Sequence, residues 1–326
     1  RFRDHTNKLF VKHGMELIAY WTPADGEKAK NTLVYVLAYP SKEAREKAWK
    51  AFGADPDWKA ARDASEKDGK IVTTGTPIAM VIENTDQRSK DYSEIEAKYR
   101  PGHADYTYEA KYGIRDHRGG GRSSARETAA RVAAGALAKA LLRDLGVVVL
   151  SHVTRIGSVT APERHDLRPE DFEGVDESPV RCLDEEASAA MVAEIDTTRK
   201  ANESLGGVFE VIAFGLVPGI GSHISWEERL DGRLAGAIMS IQAMKGVGIG
   251  DGFDLAGRVG SQAHDEIFYS DAEGVHRETN RAGGIEGGMT TGDPLVVSAA
   301  MKPLPTLTKP LRSIDIDTKE PAQALR

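Results

Sequence analysis

The sequence predicts an α+β protein built from two unlike parts. Residues 1–70 carry 14 lysines and arginines against 11 acidic residues, whereas the rest of the chain carries 29 against 39. Apolar strand-like segments alternate with polar turns and helix-like segments, and glycine becomes frequent in the second part. A chain of 326 residues is long enough for about two domains. We therefore expect domains at 1–70 and 73–326, with a linker within 68–76.

The first part has the pattern of a small domain of helices and strands. The segments "MELIAYW" and "NTLVYVLAYP" are strand-like, and the polar segment "TPADGEKAK" predicts the turn between them. Ser41 is a suitable N-cap for the helix that follows, and Pro56 is placed for the first turn of the next helix. The predicted order is helix 2–13, strand 15–22, strand 32–39, helix 41–53 and helix 56–67.

Residues 98–131 concentrate positive charge in an otherwise acidic chain. They hold eight lysines and arginines and four acidic residues, whereas the whole chain has a net charge of −7. Three glycines, at 119–121, stand in front of an alanine-rich helix that begins near Ser124 and closes at Gly146. Ser124 and Glu127 have the spacing of a capping box. The excess charge therefore lies where a helix begins.

Such a helix start has the features of an anion site. The first turn presents unpaired N–H groups, glycine lets the backbone approach a ligand, and Arg122 and Arg126 add fork-shaped cationic donors. The pattern is not a Walker loop, because no lysine follows the glycines. The alternative interpretation is an ordinary capped helix after a flexible turn. Composition alone leaves both interpretations open.

Composition excludes several classes of protein. A sequence pI of about 5.8 argues against general nucleic-acid binding. No apolar run approaches the roughly 18 residues that a membrane helix needs, so we expect no membrane partner. The single cysteine, Cys182, rules out an internal disulfide and fits a reducing compartment, which predicts a cytoplasmic protein. The histidines lack metal-ligand spacing, so no metal site is indicated.

The first part resembles the NIPSNAP family. The segments that carry the resemblance are "KHGMELIAYWTP", "NTLVYVLAYPSKEAREKAWKAF" and "DPDWKAARDASEKDG". The resemblance implies a partial ferredoxin-like domain of a kind that usually dimerises, and it implies no defined catalytic residues.

The second part resembles the chorismate synthase family. The carrying segments are "GTPIAMVIENTDQRSKDY", "YRPGHADYTYEAKYGIRDHRGGGRSSARETAARVAAGALAKALL", "IGSHISWEERLDGRLAGAIMSIQAMKGVGIGDGF" and "NRAGGIEGGMTTGDPLVVSAAMKP". The resemblance implies a β-α-β sandwich with antiparallel sheets and a homotetramer. It also implies conversion of 5-enolpyruvylshikimate 3-phosphate to chorismate and phosphate, by trans-1,4-elimination with reduced FMN. NADPH would serve only as an external reductant of the flavin.

The same resemblance assigns roles to residues of this chain. His103, in "RPGHADYTY", matches a histidine that acts as an acid at the flavin, and histidine suits that role because its usual pKa lies near neutral pH. Arg100 and Arg126 are expected to bind the substrate. The residues expected to bind the flavin are Arg122, Ser123, Ser124, Gln242, Ala243, Gly287, Lys302, Pro303, Leu304, Pro305 and Thr306.

Two motifs of that family have no match in this sequence. One is the G-E-S-H-G segment with a second catalytic histidine, in whose place the NIPSNAP-like part stands, and the other is an R-[ST]-D motif. Residues that act as one catalytic unit are strongly non-additive, so we expect slower turnover than in members that carry both motifs. The alternative hypotheses are a chimera without activity and a NIPSNAP-like binding module without catalysis.

The proposed flavin turn gives a first testable prediction. Replacing Arg122 by alanine removes charge-assisted donors at a helix N-terminus, each worth about 1.5–3 kcal/mol. FMN should therefore bind more weakly to the Arg122→Ala variant in a fluorescence titration. An unchanged dissociation constant would remove Arg122 from the site.

Overall fold

The chain forms two units, Arg1–Val81 and Ile82–Arg326. The computed structural model describes residues 7–21, 34–38, 41–57, 59–60, 78–82, 96–117, 124–305 and 307–324. The predicted linker at 68–76 lies outside these described residues, so the expected domain boundary stays a prediction.

The described residues of the first unit form two helices that pack on each other and a hairpin. The elements are α1 (Asn7–Lys12), β1 (Glu16–Trp21), β2 (Val34–Ala38) and α2 (Lys42–Ala54). Strands β1 and β2 pair antiparallel, with a bulge between Leu17 and Ala19. Ser41 caps α2, because its hydroxyl accepts a hydrogen bond of 3.1 Å from the Ala44 N–H. The order of elements predicted for residues 7–54 is therefore confirmed.

An aromatic cluster and a buried carboxylate stabilise the first unit. Phe10 and Phe52 lie with ring centroids 5.2 Å apart, and both are buried. Asp55 is buried as well, and its carboxylate lies 2.7 Å from His13 Nε2 and 2.8 Å from Lys12 Nζ. The same carboxylate accepts from the Asp57 N–H. Asp55 therefore joins the end of α1 to the chain that follows α2.

The second unit contains most of the secondary structure. Its helices among the described residues are α3 (Asp105–Tyr112), α4 (Glu127–Asp144), α5 (Glu185–Lys200), α6 (Leu230–Met239) and α7 (Gly260–Ala263). Its strands are β3 (Val148–Ile156), β4 (Val159–Thr160), β5 (Gly207–Phe214), β6 (Met244–Ile249), β7 (Ile267–Ser270), β8 (Gly274–Arg277), β9 (Ile285–Glu286), β10 (Met289–Thr290), β11 (Leu295–Met301), β12 (Leu311–Ile314) and β13 (Pro321–Ala324).

A five-stranded antiparallel sheet organises this unit. Its strand order is β4-β3-β5-β11-β6, and three two-stranded sheets, β7-β8, β9-β10 and β12-β13, are also antiparallel. The predicted α+β class with antiparallel sheets is confirmed. Within the described residues, no helix combines the length and the apolar character that crossing a bilayer takes.

The two faces of the large sheet bury different partners. Val297 on β11 packs with Leu230 and Ile238 at the two ends of α6. Ile212, on the opposite face, packs against Phe172 of a short 3₁₀ helix. A third cluster places Met191 of α5 against apolar side chains of β3 and β4, such as Val153, Ile156 and Val159. The helices α5 and α6 thus fix the sheet from which the loops of the candidate site extend.

Two glycine-rich segments interlock beside β11. The N–H of Gly250 donates to the carbonyl oxygen of Val296, and the N–H of Val296 donates to that of Gly283, each at 3.0 Å. Both glycines have positive φ, and a Cβ on either one would overlap the backbone of the other segment. Gly250 of "GVGIGDG" and Gly283 of "NRAGG" are therefore needed for backbone packing.

Met191 provides a test of the core. Its side chain is fully buried, so Met191→Ala should lower the free energy of unfolding by about 2–5 kcal/mol. Met239→Ala is the matched control, because Met239 is 45% exposed and the same truncation there should cost much less. Urea unfolding followed by circular dichroism measures both variants. Equal losses would contradict the assignment of Met191 to the core.

Candidate active site

A buried ion pair shapes the segment around His103. Arg100 donates from Nε to Asp105 Oδ2 at 2.8 Å and from Nη2 to Asp105 Oδ1 at 2.9 Å. The backbone N–H of Arg100 also donates to Oδ2, at 3.0 Å. His103 Nδ1 lies 2.8 Å from Asp105 Oδ1, so one carboxylate contacts both predicted site residues. This bidentate geometry is the strongest form of an arginine–carboxylate pair.

The Asp105 carboxylate stays ionised in this setting. Burial by itself would raise the pKa of Asp105, but hydrogen bonds from Arg100 and His103 outweigh burial and lower that pKa well below its ordinary value. Asp105 is also the first residue of α3, where a negative charge interacts favourably with the helix dipole. The site therefore contains a fixed negative charge next to His103.

Arg115 and Tyr99 complete the surroundings of this carboxylate. Arg115 Nη1 lies 3.4 Å from Asp105 Oδ2, and the Arg115 guanidinium stacks over the Tyr99 ring at 5.6 Å. The hydroxyl of Ser313 donates to the Tyr99 carbonyl oxygen at 2.5 Å, and the Ile316 N–H donates to that of Ala97 at 2.8 Å. The β12–β13 hairpin thus anchors the segment that leads into His103.

The predicted flavin loop at 302–305 lies against the His103 turn. Lys302 Nζ donates to the carbonyl oxygen of Gly102, and a Cβ placed on Gly102 would lie 3.5 Å from Pro305 Cβ. Burial, with a smaller contribution from the nearby charge of Lys245, lowers the pKa of Lys302. A partly desolvated ammonium group therefore lies beside the His103 turn.

The predicted turn at 242–243 connects this loop to the start of α4. Gln242 Nε2 donates to Glu127 Oε2 at 2.6 Å, and the Lys302 N–H donates to the carbonyl oxygen of Ala243 at 3.0 Å. Ala243 has φ of +70°, a left-handed conformation that is uncommon for a residue other than glycine. Arg131 of α4 adds a hydrogen bond of 3.0 Å to the Ser240 hydroxyl. Three predicted segments are joined in this way.

The start of α4 differs in detail from the sequence prediction. The predicted capping box is wrong, because the helix begins at Glu127 and its N-cap residue is Arg126. The Ser124 hydroxyl accepts from the Arg126 N–H at 3.3 Å, while the Glu127 carboxylate bonds Gln242 and pairs with Arg131. The Arg126 side chain is exposed. Arg122, Ser123 and Thr306 lie outside the described residues.

The remaining predicted residues lie at the edges of this arrangement or apart from it. The carbonyl oxygen of Leu304 accepts from the Ser204 hydroxyl at 2.8 Å, and Leu304 lines a cavity of about 360 Å³ between α5 and the large sheet. Pro303 lies against Gly206. Gly287 lies in the β9–β10 turn, whose next residue, Gly288, accepts from the Leu230 N–H. The contacts of that turn are thus with the start of α6.

Sequence reasoning missed Asp105, Arg115, Glu127 and Lys245. Asp105 and Arg115 were considered only as part of the net charge of residues 98–131, and Glu127 only as part of that charge and of the capping box. The spacing of Arg100, His103 and Asp105 was a usable signal, because a turn that enters a helix can bring such neighbours together. No comparable signal links Glu127 with Gln242, which is 115 residues away in the chain.

The chain matches known proteins over both parts. The family model described as chorismate synthase matches residues 65–326, and the NIPSNAP model matches residues 1–80. "Chorismate synthase 1" of Bacillus thuringiensis (strain Al Hakam) is 50% identical over 269 residues, which is 77% of this chain and 69% of that protein. "Chorismate synthase" of Thermobifida fusca (strain YX) is 51% identical over 272 residues, with the same coverage.

A solved structure gives the same result. "Crystal Structure of Chorismate Synthase" superposes with a TM-score of 0.58 at 45% identity, covering 62% of this chain and 64% of that one. This chain therefore spans just under two thirds of the solved protein. These similarities support a carbon–oxygen lyase of aromatic amino acid biosynthesis, and they do not favour the alternative of a chimera without catalysis. The chain belongs to the chorismate synthase family.

Proposed function

We propose that this chain converts 5-enolpyruvylshikimate 3-phosphate to chorismate and phosphate. The observation that carries the proposal is the contact between the 302–305 loop and the turn that contains Arg100 and His103. A histidine, an arginine and a partly desolvated lysine converge there beside a fixed carboxylate. A substrate that bears a phosphate and carboxylates needs such cationic groups, and a leaving phosphate needs them most.

The arrangement also fits a bound flavin with its phosphate. Lys302 and Lys245 supply positive charge near the left-handed turn at Ala243. We propose that Ser124, Gln242, Ala243 and the 302–305 loop hold reduced FMN. When bound, the reduced flavin supplies electron density to the breaking C–O bond without net redox change. NADPH is then needed only outside the site, to reduce the flavin.

The residues of this chain have separate tasks in the proposed reaction. Arg100 is held by Asp105 in a fixed position, so its guanidinium pre-organises the site for an anionic substrate. Lys302 stabilises the charge that grows on the leaving phosphate. His103 holds an exchangeable proton at Nε2, because Nδ1 faces Asp105. The elimination removes the phosphate and a C6 proton and forms one new double bond. We propose that it takes place in the cytoplasm in a homotetramer.

Activity of the full chain tests the function. Under anaerobic conditions with chemically reduced FMN, the chain should release chorismate and phosphate in equal amounts. His103→Gln should lower kcat by about 10²–10⁴-fold, because general acid catalysis contributes on that scale. His165→Gln is the control, since His165 is largely exposed on the surface. The proposal is wrong if no chorismate forms, and His103 has no catalytic role if both variants behave alike.

The acid dependence of stability tests the Asp105 ion pair. A carboxyl with a lowered folded-state pKa stabilises the fold above its ordinary pKa of about 4 and loses that contribution as pH falls through the folded value. At neutral pH, Asp105→Asn should therefore cost about 3–5 kcal/mol, as breaking a buried pair does. The difference between the unmodified chain and the variant should shrink below about pH 4.

Urea unfolding at several pH values measures this difference. Glu109→Gln is the matched control, because Glu109 lies on the same helix, pairs with Arg115 at 3.7 Å and is more exposed than Asp105. It should lose less stability at neutral pH. A stability difference for Asp105→Asn that does not change with pH would contradict the ion-pair assignment.

A further inference from the structure

We propose that Asp105 is a positioning residue that holds the His103 imidazole in one tautomer, with hydrogen on Nδ1, and so leaves Nε2 as the nitrogen that exchanges protons. The catalytic consequence rests on the proposed function, but the tautomer itself does not. The Asp105 carboxylate makes hydrogen bonds to both His103 and Arg100.

The hydrogen-bond donors around the Asp105 carboxylate leave one acceptor position for His103. Asp105 Oδ2 receives the backbone N–H and Nε–H of Arg100, and Oδ1 receives its Nη2–H. A carboxylate accepts at about four lone-pair sites, so Oδ1 retains capacity for one more donor. His103 Nδ1 lies 2.8 Å away, in that position. The fourth acceptor position of the carboxylate is therefore filled when His103 Nδ1 carries the hydrogen.

Taken alone, the Arg100 contact would favour the other tautomer, and the contact to Asp105 outweighs it. Arg100 Nη2 lies 3.1 Å from His103 Nδ1, and a guanidinium nitrogen can only donate. If Nδ1 were unprotonated, its lone pair would face an ionised oxygen at 2.8 Å, and repulsion would oppose the contact. If Nδ1 is protonated, it makes a charge-assisted bond to that oxygen. Because Nη2 already donates to Oδ1 at 2.9 Å, it does not need Nδ1 as an acceptor.

Backbone contacts hold the side chains of His103 and Asp105 in position before any ligand binds. The His103 N–H donates to the Arg100 carbonyl oxygen at 3.2 Å, and α3 begins at Asp105. Lys302 Nζ donates a hydrogen bond to the carbonyl oxygen of Gly102, which lies between Arg100 and His103 in the chain. Asp105 is 4% exposed and His103 is 15% exposed, so water competes weakly for their contact. A rigid, dry contact of this kind can select one tautomer.

Asparagine at position 105 should reverse the tautomer. An amide has one oxygen, which would keep the two donors of Arg100 that now reach Oδ2. The amide nitrogen would then take the place of Oδ1 and donate to His103 Nδ1. The ring must in that case carry its hydrogen on Nε2, and it loses the arrangement that delivers a proton from Nε2 with Nδ1 still bonded.

Long-range ¹H–¹⁵N NMR spectra of the full chain with labelled histidine test the tautomer directly. The spectra are recorded near pH 8.5, about two units above the ordinary histidine pKa. The His103 signals are assigned by their loss in His103→Gln. We expect the Nδ1–H form in the unmodified chain and in Glu109→Gln, and the Nε2–H form in Asp105→Asn. The Nε2–H form in the unmodified chain overturns the proposal by itself, even if Asp105→Asn does not fold.

Steady-state kinetics separates positioning from a merely structural role. Asp105→Asn should lower kcat by about 10²–10⁴-fold with KM changed only a few-fold, as loss of the correct tautomer does in a catalytic triad. Glu109→Gln should retain most of its kcat. A folded Asp105→Asn variant with kcat like that of Glu109→Gln would overturn the catalytic part. If the unmodified chain forms no chorismate, the proposed function fails, whereas the NMR result still decides the tautomer.

Discussion

The buried carboxylate of Asp105 is the interaction on which the candidate site depends. Burying a charge is costly unless partners compensate, and Asp105 has Arg100 in bidentate contact and Arg115 at 3.4 Å. The segment around His103 is a turn with few backbone hydrogen bonds of its own. Removing the carboxylate would leave the buried Arg100 guanidinium without its carboxylate partner. The position of His103 is therefore a consequence of charge balance rather than of regular secondary structure.

Hydrogen bonds between distant segments hold the other loops of the candidate site in place. Gln242 binds Glu127, Ala243 accepts from the Lys302 backbone, and Lys302 reaches the carbonyl oxygen of Gly102. Each contact joins residues more than 50 positions apart, so the order of these loops depends on the fold that brings distant segments together. The left-handed backbone of Ala243 is local strain that such over-determined surroundings can maintain.

The sequence predicted the elements better than the contacts. Strand-like segments, capping residues and turn residues correctly predicted the helix that ends before Gly146 and the hairpin and helices of residues 7–54, because those signals act over a few residues. The capping box at Ser124 was wrong for the opposite reason. Glu127 bonds Gln242, a partner from a remote segment, and a local rule cannot anticipate that competition. Arg100 and His103 were selected through family resemblance, and the carboxylate that joins them was not.

Long recognisable motifs in this chain serve two different physical needs. The segment "RPGHADYTY" brings charged side chains together, whereas "NRAGGIEGG" is dominated by backbone packing. Asp265 accepts from the backbone N–H groups of Arg281 and Ala282, each at 2.9 Å, and Gly283 then meets Gly250 where a Cβ would overlap. Glycine is required there for the close approach of two chains, irrespective of any ligand. A segment that resembles the family is therefore restricted by chemistry in one place and by packing in another, and the contacts distinguish the two causes.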